Sequence, residues 1–482
     1  MTNAIRFWLG NAPCTVTGPE AAMSLLDWLR LNRARTGTKE GCNEGDCGAC
    51  TILAVRLDAD GETLVWKALN ACIQYVYMLD NTQIFTIEDL AGGYPAGNAA
   101  APALHPMQTA MIDHGGSQCG FCTPGFIMAM TAAATDPATG GPDALSGNLC
   151  RCTGYAPILR ALEEATPATK AWADTLGTTI RDRLRALDRT TPLHIDAGAT
   201  RIDIPRTADQ LAELCASHPD ATLLAGATDI GIWINKGGRT LPHVILTTTA
   251  TDLNTIREDD VGLTIGAAAT WEQALPALTR LLPAAEPTLR RLGGRQVRAA
   301  GTVCGNIANG SPIGDGPPIL IAANATLTLR HGNSRRTLPL EDYFIDYGKQ
   351  DRRPGEFVEA VHVPHQPESL FRTWKISKRH DQDISAILCA CRLTVTDGLI
   401  TDARIAFGGM AATSKRAPRA EAALTGTPFD ATALARAQDA ITQDYAPISD
   451  FRASAAYRLT VARNLMTRLH HAHLGQEESV HA

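Results

Sequence analysis

The sequence predicts a multidomain α+β protein, and three observations lead to this fold class. The chain has 482 residues, and at about 150 residues per domain this length predicts roughly three domains. The pattern of apolar residues changes along the chain, from strands and helices to helices alone and back to a mixture. Of the 13 cysteines, eight lie between Cys42 and Cys152. The early part of the chain is therefore organised around cysteine clusters.

Composition excludes several classes of function. The net charge is −6 and aromatic residues make up 5% of the chain, whereas a nucleic-acid surface needs a concentrated positive field. The N-terminus lacks a basic segment followed by an apolar one, so no secretory signal is expected. No run of 18 apolar residues predicts a membrane span. We therefore expect a cytoplasmic protein, in which clustered cysteines bind metal rather than form disulfides.

Local patterns divide the chain into successive segments. Near the N-terminus, Ala4–Leu9 and Thr51–Arg56 are typical of strands and Met23–Asn32 of a helix. A mostly helical segment follows. Short apolar runs between glycine-rich turns then indicate an α/β segment from about residue 200, and alternating strands followed by helices indicate a last one. The predicted domains are 1–82, 83–166, 198–370 and 371–482, with a proline-containing linker at 167–197.

The first cysteine group has the spacing Cys42-x4-Cys47-x2-Cys50, with Cys72 after 21 further residues. This is the plant-type ferredoxin spacing for a [2Fe–2S] cluster. One short loop supplies three thiolates, and glycines at 41, 45 and 48 let that loop curl because glycine accepts positive φ. Backbone N–H groups in such tight turns point at the sulfur atoms and tune the reduction potential.

The second cysteine group comprises Cys119-x2-Cys122 and Cys150-x-Cys152. Each pair opens a predicted helix, and helix N-termini stabilise the negative charge of a cluster. Structural zinc is the alternative for both groups, because four-cysteine sites made of paired cysteines are common zinc sites. A bare C-x-C pair chelates zinc less readily than C-x2-C, and this favours iron in the second group.

The stretches GCNEGDCGAC, QCGFCTPG and NLCRCTGY together resemble the two [2Fe–2S] domains of the molybdenum hydroxylases, the xanthine oxidase family. The resemblance covers about residues 1–165. It implies a β-grasp ferredoxin domain first and a helical-bundle [2Fe–2S] domain second. It also implies that all eight clustered cysteines are ligands of iron.

Two glycine-rich stretches, Leu223–Trp233 and Ala299–Pro318, lie in the α/β segment. Neither has the G-x-G-x-x-G pattern, so a Rossmann dinucleotide site is not expected. Both could cradle a pyrophosphate, since small residues allow close approach and successive backbone N–H groups form an anion nest. Ordinary turns are the alternative interpretation of the same composition.

Both stretches are similar to the FAD domain of the same family, which has the vanillyl-alcohol-oxidase-like (PCMH-type) fold and precedes a C-terminal α+β flavoprotein domain. The resemblance implies that two loops wrap the FAD diphosphate. The implied FAD contacts are Leu223, Leu224, Ala225, Gly226, Ala227, Thr228, Asp229, Ile230, Leu292, Thr302, Val303, Cys304, Gly305, Asn306, Asp315, Val358 and Lys375. Cys304 replaces a glycine that is usual in the second loop, so that position cannot require a strongly positive φ.

These parts together predict an electron relay, since iron–sulfur clusters carry single electrons and FAD exchanges them for a hydride. No nucleophile or general base is evident, so no catalytic residue is predicted. The domain order resembles the small subunit of the bacterial xanthine dehydrogenase branch of the family. It implies a separate molybdopterin-binding large subunit, an (αβ)2 heterotetramer, NAD⁺ as acceptor and oxidation of hypoxanthine or xanthine to urate. A chain of 482 residues is expected to leave no room for the molybdenum domain.

The order of electron transfer implied by the family is molybdenum, the Cys119 group, the Cys42 group and then FAD. The same resemblance places the charged loop Ser377–Ile384 near the flavin, where it affects NAD⁺ access. Two alternatives remain open. One is the relay subunit of a molybdenum hydroxylase for another N-heterocycle or an aldehyde, and the other is a zinc-stapled FAD-binding scaffold without a redox role.

Overall fold

The chain folds into a multidomain α+β structure, as the sequence predicts. The computed structural model describes residues 3–58, 60–90, 104–136, 140–366 and 368–476. The strands are β1 Ile5–Leu9, β2 Ala12–Val16, β3 Thr51–Leu57, β4 Leu64–Asn70, β5 Gln83–Phe85, β6 Leu193–Asp196, β7 Arg201–Ile204, β8 Thr222–Leu224, β9 His243–Leu246, β10 Ile256–Glu258, β11 Gly262–Gly266, β12 Thr326–His331, β13 Ser334–Pro339, β14 Phe344–Asp346, β15 Lys349–Gln350, β16 Phe357–Pro364, β17 Leu370–Ile376, β18 Ile387–Thr396, β19 Leu399–Gly408 and β20 Lys415–Arg416. The helices are α1 Leu25–Asp27, α2 Ile87–Leu90, α3 Pro106–Asp113, α4 Thr123–Ala134, α5 Ala156–Leu187, α6 Ala208–Ser217, α7 Ile230–Asn235, α8 Trp271–Leu281, α9 Glu286–Arg290, α10 Arg295–Ala300, α11 Val303–Asn309, α12 Gly316–Ala322, α13 Leu340–Tyr343, α14 Pro418–Leu424, α15 Ala431–Asp444 and α16 Ala455–His473.

The polypeptide forms two compact units. Unit 1 comprises Met1–Asp252 and the segment Gly293–Gly301, and unit 2 comprises Leu253–Leu292 and Thr302–Ala482. The predicted FAD domain at 198–370 therefore contributes residues to both units. Its exact boundaries, like those of the other predicted domains, stay predictions.

The N-terminal part of unit 1 is a five-stranded sheet with the order β2-β1-β5-β3-β4. Strands β1 and β5 run parallel, while the other neighbours are antiparallel. Trp28 is fully buried against Phe7, with ring centroids 5.4 Å apart. This strand order is the β-grasp arrangement, so the fold that the resemblance implied is confirmed.

The next part of unit 1 is helical, with α3, α4 and α5 packed together around one apolar core. Phe126 and Ile158 are fully buried in that core. Helix α4 is buried along nearly its whole length because it carries alanine and methionine rather than charged residues. The helical [2Fe–2S] domain predicted from the sequence has this architecture.

The predicted linker at 167–197 is helical as far as Leu187, because α5 runs unbroken for 32 residues. Pro167 lies inside this helix, where it removes one backbone hydrogen bond and normally breaks helices. The apolar positions compensate, since Ala165, Ala173 and Ile180 are among buried residues that recur at three- or four-residue intervals. Residues 167–187 are therefore helical throughout rather than irregular, and the position of the linker stays a prediction. Within the described residues, no helix is both long enough and apolar enough to cross a membrane.

His105 is a buried histidine at the start of α3. Its Nδ1 accepts the N–H of Met107 at 3.2 Å, and its ring lies edge-on to Trp172 with centroids 4.6 Å apart. Its Nε2 has no hydrogen-bond partner among the residues that the structure describes. Burial lowers the pKa of His105 to about 4. The folded protein therefore holds this imidazole neutral at pH values where an unfolded chain would protonate it.

This burial predicts acid-sensitive stability. Between pH 6.5 and about 4 the unfolded state binds a proton at His105 that the folded state does not, so stability should fall with pH by at most about 3 kcal/mol. His105→Asn keeps a side-chain oxygen to cap α3 but does not titrate. We expect its thermal unfolding midpoint to fall less than that of the unaltered protein between pH 7.5 and 5, as measured by calorimetry. Equal pH dependence of the two proteins would contradict this assignment.

Strands β6, β7, β9 and β8 form a second sheet in unit 1, in that order, with β7, β9 and β8 parallel. Of the short apolar runs in this α/β segment, those at 222–225 and 244–247 lie in strands of this sheet, and the run at 263–267 lies in β11 of unit 2. A further apolar run at 319–323 lies almost entirely in helix α12, which the α/β pattern of this segment also allows. It lacks the alternation of a half-buried strand, and all seven residues of α12 are buried.

The described residues of unit 2 form three further sheets, of which the smallest is the pair β14-β15. The two larger sheets are the following. The first has the order β10-β11-β16-β12-β13 and is antiparallel throughout. The second, β17-β18-β19-β20, packs with helices α14, α15 and α16 to form the C-terminal domain. Cys389 and Cys391 point to the same side of β18 and are completely buried, with sulfur atoms 3.4 Å apart. They belong to the core of this domain, as their alternation in the sequence indicated.

Candidate metal and cofactor sites

The four thiols of the first cysteine group lie together at one end of the β-grasp sheet. Cys42, Cys47 and Cys50 come from the loop before β3, and Cys72 comes from the turn after β4. Thiol contacts join Cys42 to both Cys47 and Cys72, and Cys72 to Cys50. Hydrogen bonds from Cys47 and Cys72 lower the pKa of Cys42, and the same contacts raise the pKa of its two partners. The four thiols are therefore close enough to hydrogen-bond to one another.

Backbone conformation gives this loop its curvature. Gly48 has a φ of +70°, and a side chain there would place its Cβ 2.1 Å from the carbonyl oxygen of Gly147. Gly41 serves differently from the prediction, because its φ is not positive and its missing Cβ leaves room for the Cys47 sulfur, 2.7 Å from where that Cβ would lie. The N–H groups of Asp46 and Cys47 both donate to the Cys42 sulfur at 3.3 Å. The predicted N–H···S contacts are thus present.

The second group forms two thiol pairs, Cys119 with Cys152 and Cys122 with Cys150. Cys122 occupies the N-cap position of α4, as predicted. Burial raises the pKa of Cys122 to about 12. Burial would also raise the pKa of Cys150, but hydrogen bonds led by the Thr153 hydroxyl, at 3.2 Å, lower it overall. Cys119 and Cys152 are exposed, so this group lies at the surface of unit 1.

Both groups fit a two-iron cluster by the way their thiols pair. Among the described residues, no three Cys, His, Asp or Glu side chains converge closely enough to hold a single metal ion. The thiols instead make close pairwise contacts, which in the first group join Cys42 with Cys47 and Cys50 with Cys72, with a further contact between Cys42 and Cys72. A [2Fe–2S] cluster takes two ligands on each iron, so paired thiols are the arrangement it needs.

Unit 1 also contains the first predicted flavin loop, which connects β8 to α7. Gly226 lies against the backbone of Ala300, so that a Cβ at 226 would sit 1.9 Å from the Ala300 carbonyl oxygen. Ala227 has a φ of +59°, which turns the chain sharply after that contact. The loop at 223–230 therefore packs on residues directly ahead of Thr302, where the second predicted loop begins.

Gly226→Ala should push these two backbones apart, since the clash is with backbone atoms that cannot rotate away. We expect a loss of about 1–3 kcal/mol in stability and a lower FAD content per chain, read from the flavin absorbance of the purified protein. Gly140→Ala is the matched control, because a Cβ at 140 would meet nothing within 4 Å. Equal FAD content and equal unfolding midpoint in the two variants would show that the close approach at Gly226 is unimportant.

The second predicted loop belongs to unit 2 and opens helix α11. The Thr302 hydroxyl accepts the N–H of Gly305 at 2.9 Å and so caps this helix. Cys304 is helical and buried, with its sulfur 3.7 Å from the Ile265 carbonyl oxygen, and burial raises its pKa to about 12. The position accordingly needs no positive φ. The side-chain oxygen of Asn306 is buried and has no hydrogen-bond partner within the described part of the chain, as expected of a residue that bonds to a ligand.

Unit 2 also brings together Asp315 and Lys375, two residues predicted separately as FAD contacts. The Lys375 ammonium donates to one carboxylate oxygen of Asp315, and the Ser385 hydroxyl donates to the other at 2.5 Å. The side chains of Lys375 and Asp315 are 1% and 8% exposed. Lys375 therefore neutralises a buried carboxylate, a partner that the sequence did not indicate.

The remaining predicted contacts, Leu292 and Val358, are also buried in unit 2. Leu292 follows α9, and its N–H donates to the Leu289 carbonyl at 3.1 Å. Val358 lies in β16 opposite Leu329 of β12. The charged loop Ser377–Ile384 is tied together by Asp383, which accepts the backbone N–H groups of Lys378 and Arg379 at 2.8 Å.

The sequence reasoning missed several polar residues that hold the cysteine loops of unit 1. Asn235, at the end of α7, donates to the Cys72 carbonyl oxygen at 2.7 Å and to Asn43, while its own side-chain oxygen accepts the Tyr75 hydroxyl at 3.2 Å. Tyr155, with a φ of +68°, accepts the N–H of Cys150 at 2.9 Å. No spacing rule marks these residues. Their only indication in the sequence is closeness to the predicted sites, since Asn235 lies five residues after the first flavin loop and Tyr155 lies three residues after Cys152.

Comparison with known families matches three stretches of the chain. Residues 86–163 match the [2Fe-2S] binding domain, residues 199–366 the FAD binding domain in molybdopterin dehydrogenase, and residues 372–472 the CO dehydrogenase flavoprotein C-terminal domain. These three matches agree with the resemblance that the cysteine and glycine motifs suggested.

Curated relatives and a solved structure extend this comparison. Xanthine dehydrogenase of Emericella nidulans is 29% identical over 99% of this chain and 39% of its own length. Xanthine dehydrogenase of Drosophila pseudoobscura pseudoobscura is 30% identical over 89% and 36%. The chain thus spans less than half the length of these relatives. A carbon monoxide dehydrogenase chain from Hydrogenophaga pseudoflava, 27% identical, superposes with a TM-score of 0.54 over 57% of this chain and 98% of its own.

Proposed function

Because the chain belongs to the molybdenum hydroxylase family, we propose that it passes electrons from a partner's molybdenum centre through two [2Fe–2S] clusters to FAD. When bound, the clusters supply one-electron transfer and the flavin exchanges single electrons for a hydride. The proposed cluster ligands are Cys42, Cys47, Cys50 and Cys72 for one cluster and Cys119, Cys122, Cys150 and Cys152 for the other. The proposed FAD contacts are residues 223–230 and 302–306 with Leu292, Asp315, Val358 and Lys375.

The main support for the proposal is the order in which hydrogen bonds join the two cysteine loops and the first flavin loop of unit 1. The N–H of Leu149, next to Cys150, donates to the carbonyl oxygen of Cys47 at 3.0 Å. The turn that holds Cys72 is in turn bonded to the first flavin loop, since Gln74 donates to the Gly226 carbonyl at 3.4 Å. These links connect the second cysteine group to the first, and the first to the flavin loop, in the order a relay requires.

The proposal extends to the overall reaction. We propose NAD⁺ as the electron acceptor and xanthine as the substrate oxidised, so that xanthine, water and NAD⁺ give urate, NADH and a proton. The support is the similarity to relatives named xanthine dehydrogenase over 89–99% of this chain. We further propose that a molybdopterin-binding large subunit joins this chain in an (αβ)2 heterotetramer. A reducing cytoplasm is proposed as its location, since free thiolates must persist there.

A second candidate is the relay subunit of a molybdenum hydroxylase that oxidises another N-heterocycle, an aldehyde or a different small molecule. The support for this second candidate is the similarity to a carbon monoxide dehydrogenase chain, whose name indicates a different substrate. Substrate choice in either case would depend on residues outside the described sites of this chain.

Purification with the molybdenum-carrying partner tests both candidates. Visible absorption beyond that of the flavin, bleached by dithionite, is expected if the two clusters are present. A purely yellow protein that contains zinc would overturn the relay. Turnover of xanthine, other purines and aldehydes with NAD⁺ then decides the substrate, and absence of xanthine-dependent NADH formation in the molybdenum-loaded complex would contradict the xanthine assignment.

A further inference from the structure

A set of buried hydrogen bonds connects the two cysteine loops to a segment far away in sequence. Gln296 of α10 is 1% exposed. Its amide nitrogen donates to the side-chain oxygen of Asn148 at 2.7 Å and to the hydroxyl oxygen of Thr51 at 3.2 Å. Asn148 lies two residues before Cys150, and Thr51 directly follows Cys50. One glutamine therefore contacts a neighbour of each thiol group.

The bonds converge on the carbonyl oxygen of Gly48, which lies between the ligand candidates Cys47 and Cys50. The Thr51 hydroxyl donates to this oxygen at 2.6 Å, and the Asn148 amide donates to it at 3.0 Å. Asn148 also donates to the Thr51 hydroxyl oxygen at 3.2 Å. Every donor of the three side chains is thus used, and the Gln296 amide can face only one way, because a flipped amide would set two oxygens against each other.

Close backbone packing fixes the network in place. Gly147 has a φ of +113°, and a Cβ at this position would lie 1.7 Å from the side-chain oxygen of Gln296. Gly125 of α4 approaches the Gly48 carbonyl so closely that its Cβ would lie 2.2 Å away. The two loops therefore meet at Gly48, where neither Gly125 nor Gly147 could be replaced by a residue with a side chain. The Gln296 amide lies beside this contact and bonds to Asn148 and Thr51.

We propose that Gln296 is a positioning residue that sets the orientation of the Gly48 carbonyl and, through Asn148 and Thr51, the relative placement of the two iron–sulfur clusters. The inference rests on the proposed function, because it concerns the clusters of that relay. Dipoles and hydrogen bonds close to cluster thiolates shift reduction potentials. Loss of the Gln296 amide should consequently alter both clusters, although the side chain contacts neither set of thiols.

The test uses the purified holoprotein and two variants, Gln296→Met and Thr51→Val. Each removes polar atoms at nearly constant volume. We expect the electron paramagnetic resonance signals and midpoint potentials of both reduced clusters to shift, while iron and FAD content stay at the level of the unaltered protein. Gln438→Met is the control, since Gln438 also donates to a threonine hydroxyl, Thr467 at 2.9 Å, but in the C-terminal domain. We expect that variant to keep both signals unchanged.

The outcomes separate this inference from the proposed relay. If the unaltered protein shows no iron-dependent signals, the relay itself is wrong. If both clusters are present and either soluble variant keeps both sets of potentials and signals, the positioning role of Gln296 is refuted.

Discussion

Replacing Cys119 with serine should remove one of two iron–sulfur clusters and leave the other intact. Cys119 pairs with Cys152 at the surface of unit 1, and neither belongs to the first thiol group. We expect iron to fall from about four to about two atoms per chain, because each [2Fe–2S] cluster needs all four thiolates. Cys42→Ser should cause the same loss at the first group. Metal analysis and dithionite-bleachable absorption of the purified chain measure both effects.

Cys14→Ser and Cys215→Ser are the matched controls, since both residues are buried thiols outside the two groups. Both variants should keep the full iron content. Retention of all iron in Cys119→Ser would remove Cys119 from the proposed ligand set. Zinc in place of iron, at one atom per thiol group, would instead support the alternative of structural zinc sites.

Lys375→Met should strongly destabilise unit 2, because it leaves Asp315 buried without its countercharge. Breaking a buried ion pair by removing one partner costs about 3–5 kcal/mol, and the Lys375 side chain is only 1% exposed. We expect a large drop in the calorimetric transition temperature. The double variant Lys375→Met/Asp315→Asn should recover much of that loss, since no charge then remains buried.

Lys349→Met is the control, because it makes the same substitution at an exposed lysine. This variant should change the free energy of unfolding by less than about 0.5 kcal/mol. If the double variant were as unstable as Lys375→Met, burial of an unpaired carboxylate would not be the reason for the loss. The same samples report FAD content, which tests separately whether Lys375 contacts the flavin.

The sequence predicted the cysteine groups well because the chemistry of a cluster restricts ligand spacing within short loops. Cys42, Cys47 and Cys50 must come from one turn, and such a turn needs glycine, as the φ of +70° at Gly48 shows. The β-grasp order of strands could not be derived from spacing and came from the resemblance instead. Pairing of β1 with β5 joins residues about 75 positions apart, and no local pattern encodes it.

The predictions from sequence failed, or missed residues, where tertiary packing rather than local sequence determines the structure. Pro167 suggested a linker, but apolar residues on one face of α5 keep the helix intact through it. Polar side chains such as Asn235 and Gln296 carry no motif, since their role depends on which loop they meet in three dimensions. Lys375 was predicted to contact the flavin from resemblance, yet its ion pair with Asp315 became apparent only from the structure.

Helix α5 has a consequence for the way the cysteine groups are held. Its N-terminus follows Cys152, while Arg183 near its other end bonds to Asn11 at 2.9 Å and stacks on Trp8 of the β-grasp sheet. A helix of this length acts as a stiff rod about 48 Å long, and it extends through residues 167–187 of the predicted linker. If both thiol groups hold clusters as proposed, the distance between those clusters is fixed by the fold of unit 1.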